Sequence, residues 1–179
     1  KKTYKNIHSS DVDTYIHVPN YSRNLSFKRI FSHIVFAIKL YFFLNNNQKK
    51  IDVIYCSMPS STSAFICGWY CKKNNIKFIV DIIDLWPDSL LPLTKYKKIL
   101  NFMVLPWSLI SIYAYKMADV ILGESIQYAA RGSYYNKKAP CFPMYLGVDS
   151  AYVNELIQKS HVSLRKSNDE IWIAYGGSL

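Results

Sequence analysis

Residues 52–81 read DVIYCSMPSSTSAFICGWYCKKNNIKFIVD, and this stretch predicts one β-α-β unit. Its first residues, Asp52 to Cys56, are typical of a strand buried on both sides within a parallel sheet. Pro59 to Thr62 supply a turn with helix-capping hydroxyls, and Ala64 to Asn74 continue as the helix. Lys77 to Asp81 form the second strand. Because parallel neighbours require a crossover of this kind, the stretch predicts an α/β fold.

The same alternation of strand and helix patterns extends in both directions. Outside the central unit, the predicted elements are a strand over 13–18, a helix over 27–44 capped by Ser26, a long apolar helix ending at Met117, a strand over 119–123, a helix over 124–135 and a short strand over 141–146. This order predicts a Rossmann-like open parallel sheet with helices on both faces. A polar segment over 150–170 contains one short amphipathic stretch, after which Ile171 to Tyr175 begin a new strand.

Composition limits the class of protein. The 179 residues are 50% hydrophobic and 19% charged, which is too apolar for a disordered chain and sufficient for one domain with a sizeable core. The 22 Lys and Arg against 12 Asp and Glu give a net charge of +10, which predicts anionic partners. Four cysteines without metal-ligand spacing favour a reducing compartment. The absence of an initiator Met and of a signal-peptide pattern near Lys1 leads us to expect a fragment.

The most informative segment lies directly after the second strand of the central unit. Residues 81–89 read DIIDLWPDS, which places three carboxylates, a Trp and a Pro where open parallel sheets bind ligands. Turn and capping chemistry around Pro87 explains part of this pattern. In the functional interpretation, Asp84 accepts a hydrogen bond from a substrate hydroxyl and Trp86 offers an amphipathic surface to a sugar ring. Asp81 is expected to satisfy backbone donors at the strand end.

This segment resembles the Asp-x-x-Asp-Leu-Trp-Pro-acidic-Ser motif of bacterial family 4 glycosyltransferases. Further stretches in the same order are similar to that family: Tyr21 to Arg29, Asp52 to Tyr55 with Ser57-x-Pro59, Ala118 to Ile121, Leu146 to Asp149, and Ala174 to Leu179. Leu146 departs from the usual Asn of its turn. The resemblance covers nearly the whole chain in order and spacing.

The resemblance implies one half of a two-domain GT-B fold, truncated at both ends. It implies an amino-terminal acceptor-binding domain over 1–147 without its first βα unit, an interdomain linker over 148–170, and the first strand and glycine loop of a donor-binding domain over 171–179. The full-length enzyme would be a retaining glycosyltransferase of surface polysaccharide biosynthesis, such as capsule or O-antigen. We expect the fragment alone to be inactive.

The resemblance also implies roles for individual residues. The expected catalytic contact is Asp84, and the expected acceptor- or sugar-binding residues are Asp81, Trp86, Pro87, Asp88, Ser57, Ser60 and Glu124. The expected start of the donor phosphate loop is Gly176, Gly177 and Ser178. A nucleotide diphosphate sugar is the co-substrate, and neither a metal nor another cofactor is expected. The other expected partner is a glycan acceptor linked to a polyprenyl diphosphate, at the cytoplasmic face of the inner membrane.

The charge-free run from Ile99 to Tyr115 leaves two interpretations open. It is short for a spanning helix and is interrupted by Pro106, so it is either a core helix or an interfacial helix at an anionic membrane surface. The residues expected to face the membrane are Lys95, Lys97, Lys98 and Trp107. The helix over 27–44, with Lys28 and Arg29, is a second candidate.

Two other functions compete with glycosyl transfer. The first is a non-catalytic module that docks to membranes or binds the acceptor and needs a separate donor-binding subunit. The second is nucleic-acid binding, for which only the +10 charge argues, since the basic residues are dispersed and match no RNA- or DNA-binding module. We therefore expect no nucleic-acid partner.

Overall fold

The computed structural model describes residues 14–22, 26–47, 51–58, 60–86, 89, 97–159, 167, 169 and 171–172, without the side chains of 97–101 and 103. The chain forms two units, Lys1–Tyr145 and Leu146–Leu179. The elements of the first unit are α1 (Phe27–Asn46), β1 (Val53–Met58), α2 (Ser61–Asn74), β2 (Lys77–Ile82), α3 (Lys97–Met117), β3 (Val120–Gly123), α4 (Ile126–Tyr135) and β4 (Cys141–Pro143). The alternating order confirms the α/β class.

The four strands form one parallel sheet in the order β1-β2-β3-β4. Its register pairs Cys56 with Val80 and Val80 with Ile121, so these side chains point to the same face. That face is the core, where Phe78, Val80, Ile82 and Ile121 are fully buried. An all-parallel sheet of successive βα steps is a Rossmann-like open sheet, as the sequence predicts.

Two glycines let the helices approach this buried face closely. A Cβ added at Gly68 of α2 would lie 2.9 Å from the Phe78 ring. One added at Gly132 of α4 would lie 2.7 Å from Ile121 Cγ2. Both helices therefore rest on the same side of the sheet, and α1 and α3 pack against α2.

The opposite face of the sheet is more open within the described residues. Val53 and Tyr55 of β1 are about half exposed, as is Phe142 of β4. β1 was expected to be buried on both sides, but its side chains alternate between exposed and buried. This alternation is expected where one face of a sheet packs on the core and the other is not covered, as is the case here among the described residues.

The strand predicted over 13–18 does not form among its described residues, 14–18. Lys39 Nζ donates to the His17 carbonyl at 2.7 Å, so a side chain rather than a strand occupies that backbone acceptor. Strand propensity depends on pairing with a neighbour, and no described strand pairs with this segment. The prediction is therefore wrong for residues 14–18.

The second unit contains α5 (Ser150–Lys159), which lies inside the predicted linker. Asp149 caps this helix, since its Oδ1 accepts hydrogen bonds from Ala151 N at 2.9 Å and Tyr152 N at 3.1 Å. Of the strand predicted over Ile171 to Tyr175, only Ile171 and Trp172 are described, and neither lies in a strand. Among the described helices of the protein, none is sufficiently long and apolar to cross a membrane.

Candidate functional site

A small cleft, with room for about one water molecule, lies beyond the carboxyl end of β1, at the start of α2. Three helices and one strand-end loop contribute to it. The described residues that line it are Arg29, His33, Ser60, Ser61, Thr62, Trp86 and Trp107. None of these is acidic, so the described lining combines one cation, four hydroxyl or imidazole groups and two indole rings.

A hydrogen-bonded chain of side chains runs along the cleft. Arg29 Nε donates to His33 Nε2 at 3.3 Å, so the neutral imidazole carries its proton on Nδ1. His33 Nδ1 lies 3.4 Å from Ser60 Oγ and can donate to it. Ser60 Oγ lies 2.6 Å from Ser63 Oγ. Burial, reinforced by the Arg29 guanidinium, lowers the pKa of His33 and favours this neutral form.

The backbone of α2 begins at the cleft. Ser60 occupies the N-cap position, but its side chain makes no capping hydrogen bond to the helix. Its hydroxyl instead belongs to the hydrogen-bonded series of side chains that includes His33. The amino terminus of a helix presents N–H groups and a partial positive charge, which adds to the charge of Arg29. The described lining of the cleft therefore contributes positive charge and no carboxylate.

Trp86 forms the central wall of the site. The Arg29 guanidinium carbon lies 6.0 Å from the centre of the Trp86 ring and 5.8 Å from that of Tyr21. A second cavity of similar size lies against Trp86 and is also lined by Ser108, Ser111 and Arg131. Trp86 thus separates two small cavities, each with an arginine in its lining.

The structure brings together only part of the set expected from the sequence. Trp86 and Ser60 line the cleft, together with Trp107, which was expected to face a membrane. Asp84 is partly buried near Trp86 in the chain, and no hydrogen bond joins it to another described residue. Pro87 and Asp88 lie outside the described residues.

Asp81 and Ser57 lie on the more open face of the sheet, where the register pairs them. Asp81 is only 4% exposed and accepts a hydrogen bond from the Tyr55 hydroxyl through Oδ2. Its other oxygen, Oδ1, is buried without a partner among the described residues. Burial, together with this bond to Asp81, raises the pKa of Tyr55. Asp81 was expected to accept hydrogen bonds from backbone N–H groups, but the Tyr55 hydroxyl donates to it instead. This contact forms because the alternation of side chains in β1 directs Tyr55 toward Asp81.

The remaining expected residues are spread over other parts of the chain. Glu124 follows β3, and its backbone N–H donates to the Ile82 carbonyl at 3.1 Å, while Ser125 caps α4. Lys97 and Lys98 begin α3, and their side chains are not described. The residues outside the described part are Lys95, Gly176, Gly177 and Ser178.

Sequence reasoning missed Arg29 and His33 as members of the site. The signal was available, because residues four apart on a helix share one face, and Arg29 and His33 have this spacing in α1. Tyr55 was missed for a different reason. Its contact with Asp81 depends on the pairing of β1 with β2, which spacing within one strand cannot supply.

A larger cavity, of about 360 Å³, lies at the amino-terminal edge of the sheet. Its lining includes four lysines, Lys72, Lys77, Lys116 and Lys138. Its polar groups are engaged in the fold: Asp119 accepts from Phe78 N at 2.8 Å and pairs with Lys77, and Asn136 Nδ2 donates to the Tyr115 and Ala118 carbonyls.

Helix α3 exposes apolar side chains on one side and buries Ser111 on the other. Phe102 is 80% exposed, and Leu105, Leu109 and Tyr113 are about half exposed on the same side of the helix. On the opposite side, buried Ser111 lies 2.7 Å from Ser61 of α2. The exposed side of α3 does not include Trp107, which is partly buried in the cleft.

No protein-family model and no curated protein matches this chain. Within the described residues, no group of three or more His, Cys, Asp or Glu side chains could hold a metal ion.

Proposed function

We propose that this chain forms the acceptor-binding part of a retaining glycosyltransferase of surface polysaccharide biosynthesis. The observation that carries the proposal is the tryptophan-walled cleft beyond the carboxyl end of a parallel sheet, whose described lining contains Arg29. Open α/β sheets bind their ligands at this edge. The resemblance of residues 81–89 to the glycosyltransferase motif supports the same site, since Trp86 belongs to both.

The described lining of the cleft carries groups of the kinds that bind sugars and phosphate. An indole ring packs against the apolar face of a sugar, and the neighbouring hydroxyls of Ser60 and Thr62 can exchange hydrogen bonds with sugar hydroxyls. Arg29 and the start of α2 attract phosphate oxygens. A glycan joined to a polyprenyl diphosphate presents both groups next to each other.

In this proposal, Arg29 orients the phosphate end of the acceptor and Trp86 orients its sugar ring. The neutral His33 imidazole accepts a hydrogen bond from Arg29 and donates one to Ser60. It therefore positions both of these side chains. Asp84 accepts a hydrogen bond from a sugar hydroxyl. The nucleotide sugar donor would bind to the part of the enzyme that residues 171–179 are proposed to begin, and no metal is invoked.

The test is transfer of a radiolabelled sugar by the full-length protein, from a panel of nucleotide diphosphate sugars to detergent-solubilised polyprenyl-diphosphate acceptors. Trp86→Ala should lower turnover at subsaturating acceptor about fivefold, because it removes an aromatic contact worth roughly 1 kcal/mol. Asp84→Asn should lower it as well. Trp69→Ala is the matched control, since Trp69 lies on α2 outside the cleft lining and is 42% exposed. Full turnover of a folded Trp86→Ala protein would contradict the proposal.

A non-catalytic acceptor-binding module is the second candidate. It is favoured by the location of every described cleft residue within the first unit. In this case the chain would bind the acceptor, with quenching of Trp fluorescence, while transfer would require a separate donor-binding subunit. Sugar transfer by the full-length protein without an added subunit would exclude this candidate.

A further inference from the structure

Two cavities lie on either side of Trp86, and both are too small for a ligand larger than water. The cleft beyond β1 and the second cavity below the loop after β2 each have room for about one water molecule. Trp86 is the one described residue that lines both of them. A ligand that contacts the linings of both cavities therefore has to displace the Trp86 side chain.

The other walls of the two cavities are held by contacts between helices. Ser61 of α2 lines the cleft, Ser111 of α3 lines the second cavity, and their hydroxyl oxygens lie 2.7 Å apart. Ser111 Oγ also lies 3.1 Å from the carbonyl oxygen of Trp107. In contrast, Trp86 lies in the loop after β2, and no hydrogen bond joins its indole N–H to another described residue. Among the described parts of the lining, Trp86 is therefore the one that can move without breaking a hydrogen bond of its side chain.

Each cavity has one arginine and no carboxylate in its described lining. In the cleft, the Arg29 guanidinium carbon lies 6.0 Å from the centre of the Trp86 ring. In the second cavity, Arg131 of α4 has its guanidinium carbon 5.0 Å from the centre of the Tyr135 ring. Displacement of Trp86 would join the two cavities into one, with an arginine on each side. Two cations around one space favour a ligand with at least two negative charges, and guanidinium groups form paired hydrogen bonds with phosphate oxygens.

We propose that Trp86 is a movable wall between two phosphate subsites, and that Arg131 binds the second phosphate of a diphosphate ligand. This assignment rests on the proposed function and deepens it, because it names the residues that hold the diphosphate of the acceptor. Arg29 binds one phosphate and Arg131 binds the other, while the Trp86 ring leaves the space between them and packs on the sugar that follows. The hydroxyls of Ser61 and Ser111 lie between the two subsites, where they can donate to phosphate oxygens.

The first test is isothermal titration calorimetry of the full chain with inorganic pyrophosphate and with inorganic phosphate, without divalent cations. Wild-type protein should bind pyrophosphate at least about tenfold more tightly than phosphate, because only pyrophosphate contacts both arginines. Arg131→Gln should weaken pyrophosphate binding about tenfold and phosphate binding no more than about twofold. Lys138→Gln is the matched control, since it removes the same charge at the amino-terminal edge of the sheet. This control should bind pyrophosphate as wild type does.

A change at Trp86 tests the movable wall separately. Trp86→Ala removes the ring that has to be displaced, so it should tighten pyrophosphate binding severalfold, although the same change is expected to lower sugar transfer. Trp69→Ala should leave pyrophosphate binding unchanged, because Trp69 is absent from both linings. Arg131→Lys keeps the positive charge and should recover part of the affinity that Arg131→Gln loses.

Four results would overturn the assignment: no binding of pyrophosphate by the wild type, wild-type affinity in a folded Arg131→Gln protein, weaker pyrophosphate binding by Trp86→Ala, or loss of binding in Lys138→Gln alone. Sugar transfer that requires Trp86, together with unchanged pyrophosphate binding in Arg131→Gln, would refute the diphosphate site and leave the proposed function standing. Pyrophosphate binding that requires Arg131, in a protein that transfers no sugar, would support the diphosphate site and contradict glycosyl transfer.

Discussion

Both edges of the sheet carry a cavity lined with charged side chains, but the two edges use these groups differently. At the amino-terminal edge, the larger cavity has Asp119 and Asn136 bonded to the backbone of neighbouring elements. At the carboxyl-terminal edge, Arg29, His33 and Ser60 bond to one another around a smaller cleft with tryptophan walls. A search for a binding site by cavity size alone would therefore choose the amino-terminal edge, where the polar groups stabilise the fold.

The difference also explains the lysines of the larger cavity. Lys72 and Lys116 lie in the last turns of α2 and α3, where positive charge complements the helix dipole. Lys77 pairs with Asp119. Three of the four lysines thus have a structural explanation, whereas the tryptophans of the smaller cleft are surrounded by groups suited to a ligand.

The largest effect should come from Asn136→Ala at the amino-terminal edge. The Asn136 amide donates to two carbonyls, and its oxygen accepts from Lys138 N and Ala139 N. Removing these bonds should lower the free energy of unfolding by about 3 kcal/mol, because it leaves partly buried groups unpaired. Urea denaturation measures the change. Asn45→Ala, at an exposed position of α1, is the control and should stay within about 0.5 kcal/mol of wild type.

A smaller effect should appear at the carboxyl-terminal edge, where His33 should make the free energy of unfolding depend on pH. Because the folded protein lowers the pKa of His33 below its ordinary value of 6.5, the unfolded chain binds the proton first as pH falls. The contribution to stability is present above pH 6.5 and is lost as pH falls toward the folded pKa. His33→Gln should remove this part of the slope when unfolding is measured across that window. Parallel stability curves for the two proteins would show that His33 contributes nothing.

The smallest effect should follow Lys77→Ala. The Lys77 and Asp119 side chains are 76% and 42% exposed and their charged atoms lie 3.6 Å apart, so water and salt screen the pair. We expect a loss of no more than about 0.5 kcal/mol in urea denaturation. A loss approaching that of Asn136→Ala would mean that the amino-terminal edge depends on its charges and that the comparison between the edges needs revision.

Local patterns in the sequence predicted the elements of the first unit well. Ser26 caps α1 as expected, with Arg29 N donating to its Oγ at 3.2 Å. The helix over 27–44 and the strand over 77–81 match α1 and β2 closely, because alternation and helical periodicity are properties of contiguous residues. The parallel sheet follows from the order of these elements.

The parts that the sequence could not supply depend on contacts between distant segments. Residues 14–18 have strand-like composition, but no described strand pairs with them. Trp107 is of a residue type that is common at membrane surfaces, but the packing of α3 against α2 directs its side chain toward the cleft. Asp81 faces Tyr55 only because β1 and β2 pair in a particular register. Of the residues predicted at the site from the 81–89 motif, Trp86 lines the cleft.

The two sides of α1 also differ in what could bind to them. Arg29 and Phe31 are two residues apart, about 200° around the helix axis, so the cleft and the exposed Phe31 side chain lie on opposite sides of one helix. A helix with its side chains is about 10 Å across. A ligand in the cleft and a molecule that covers Phe31 would therefore be separated by the full width of α1, so that neither would obstruct the other.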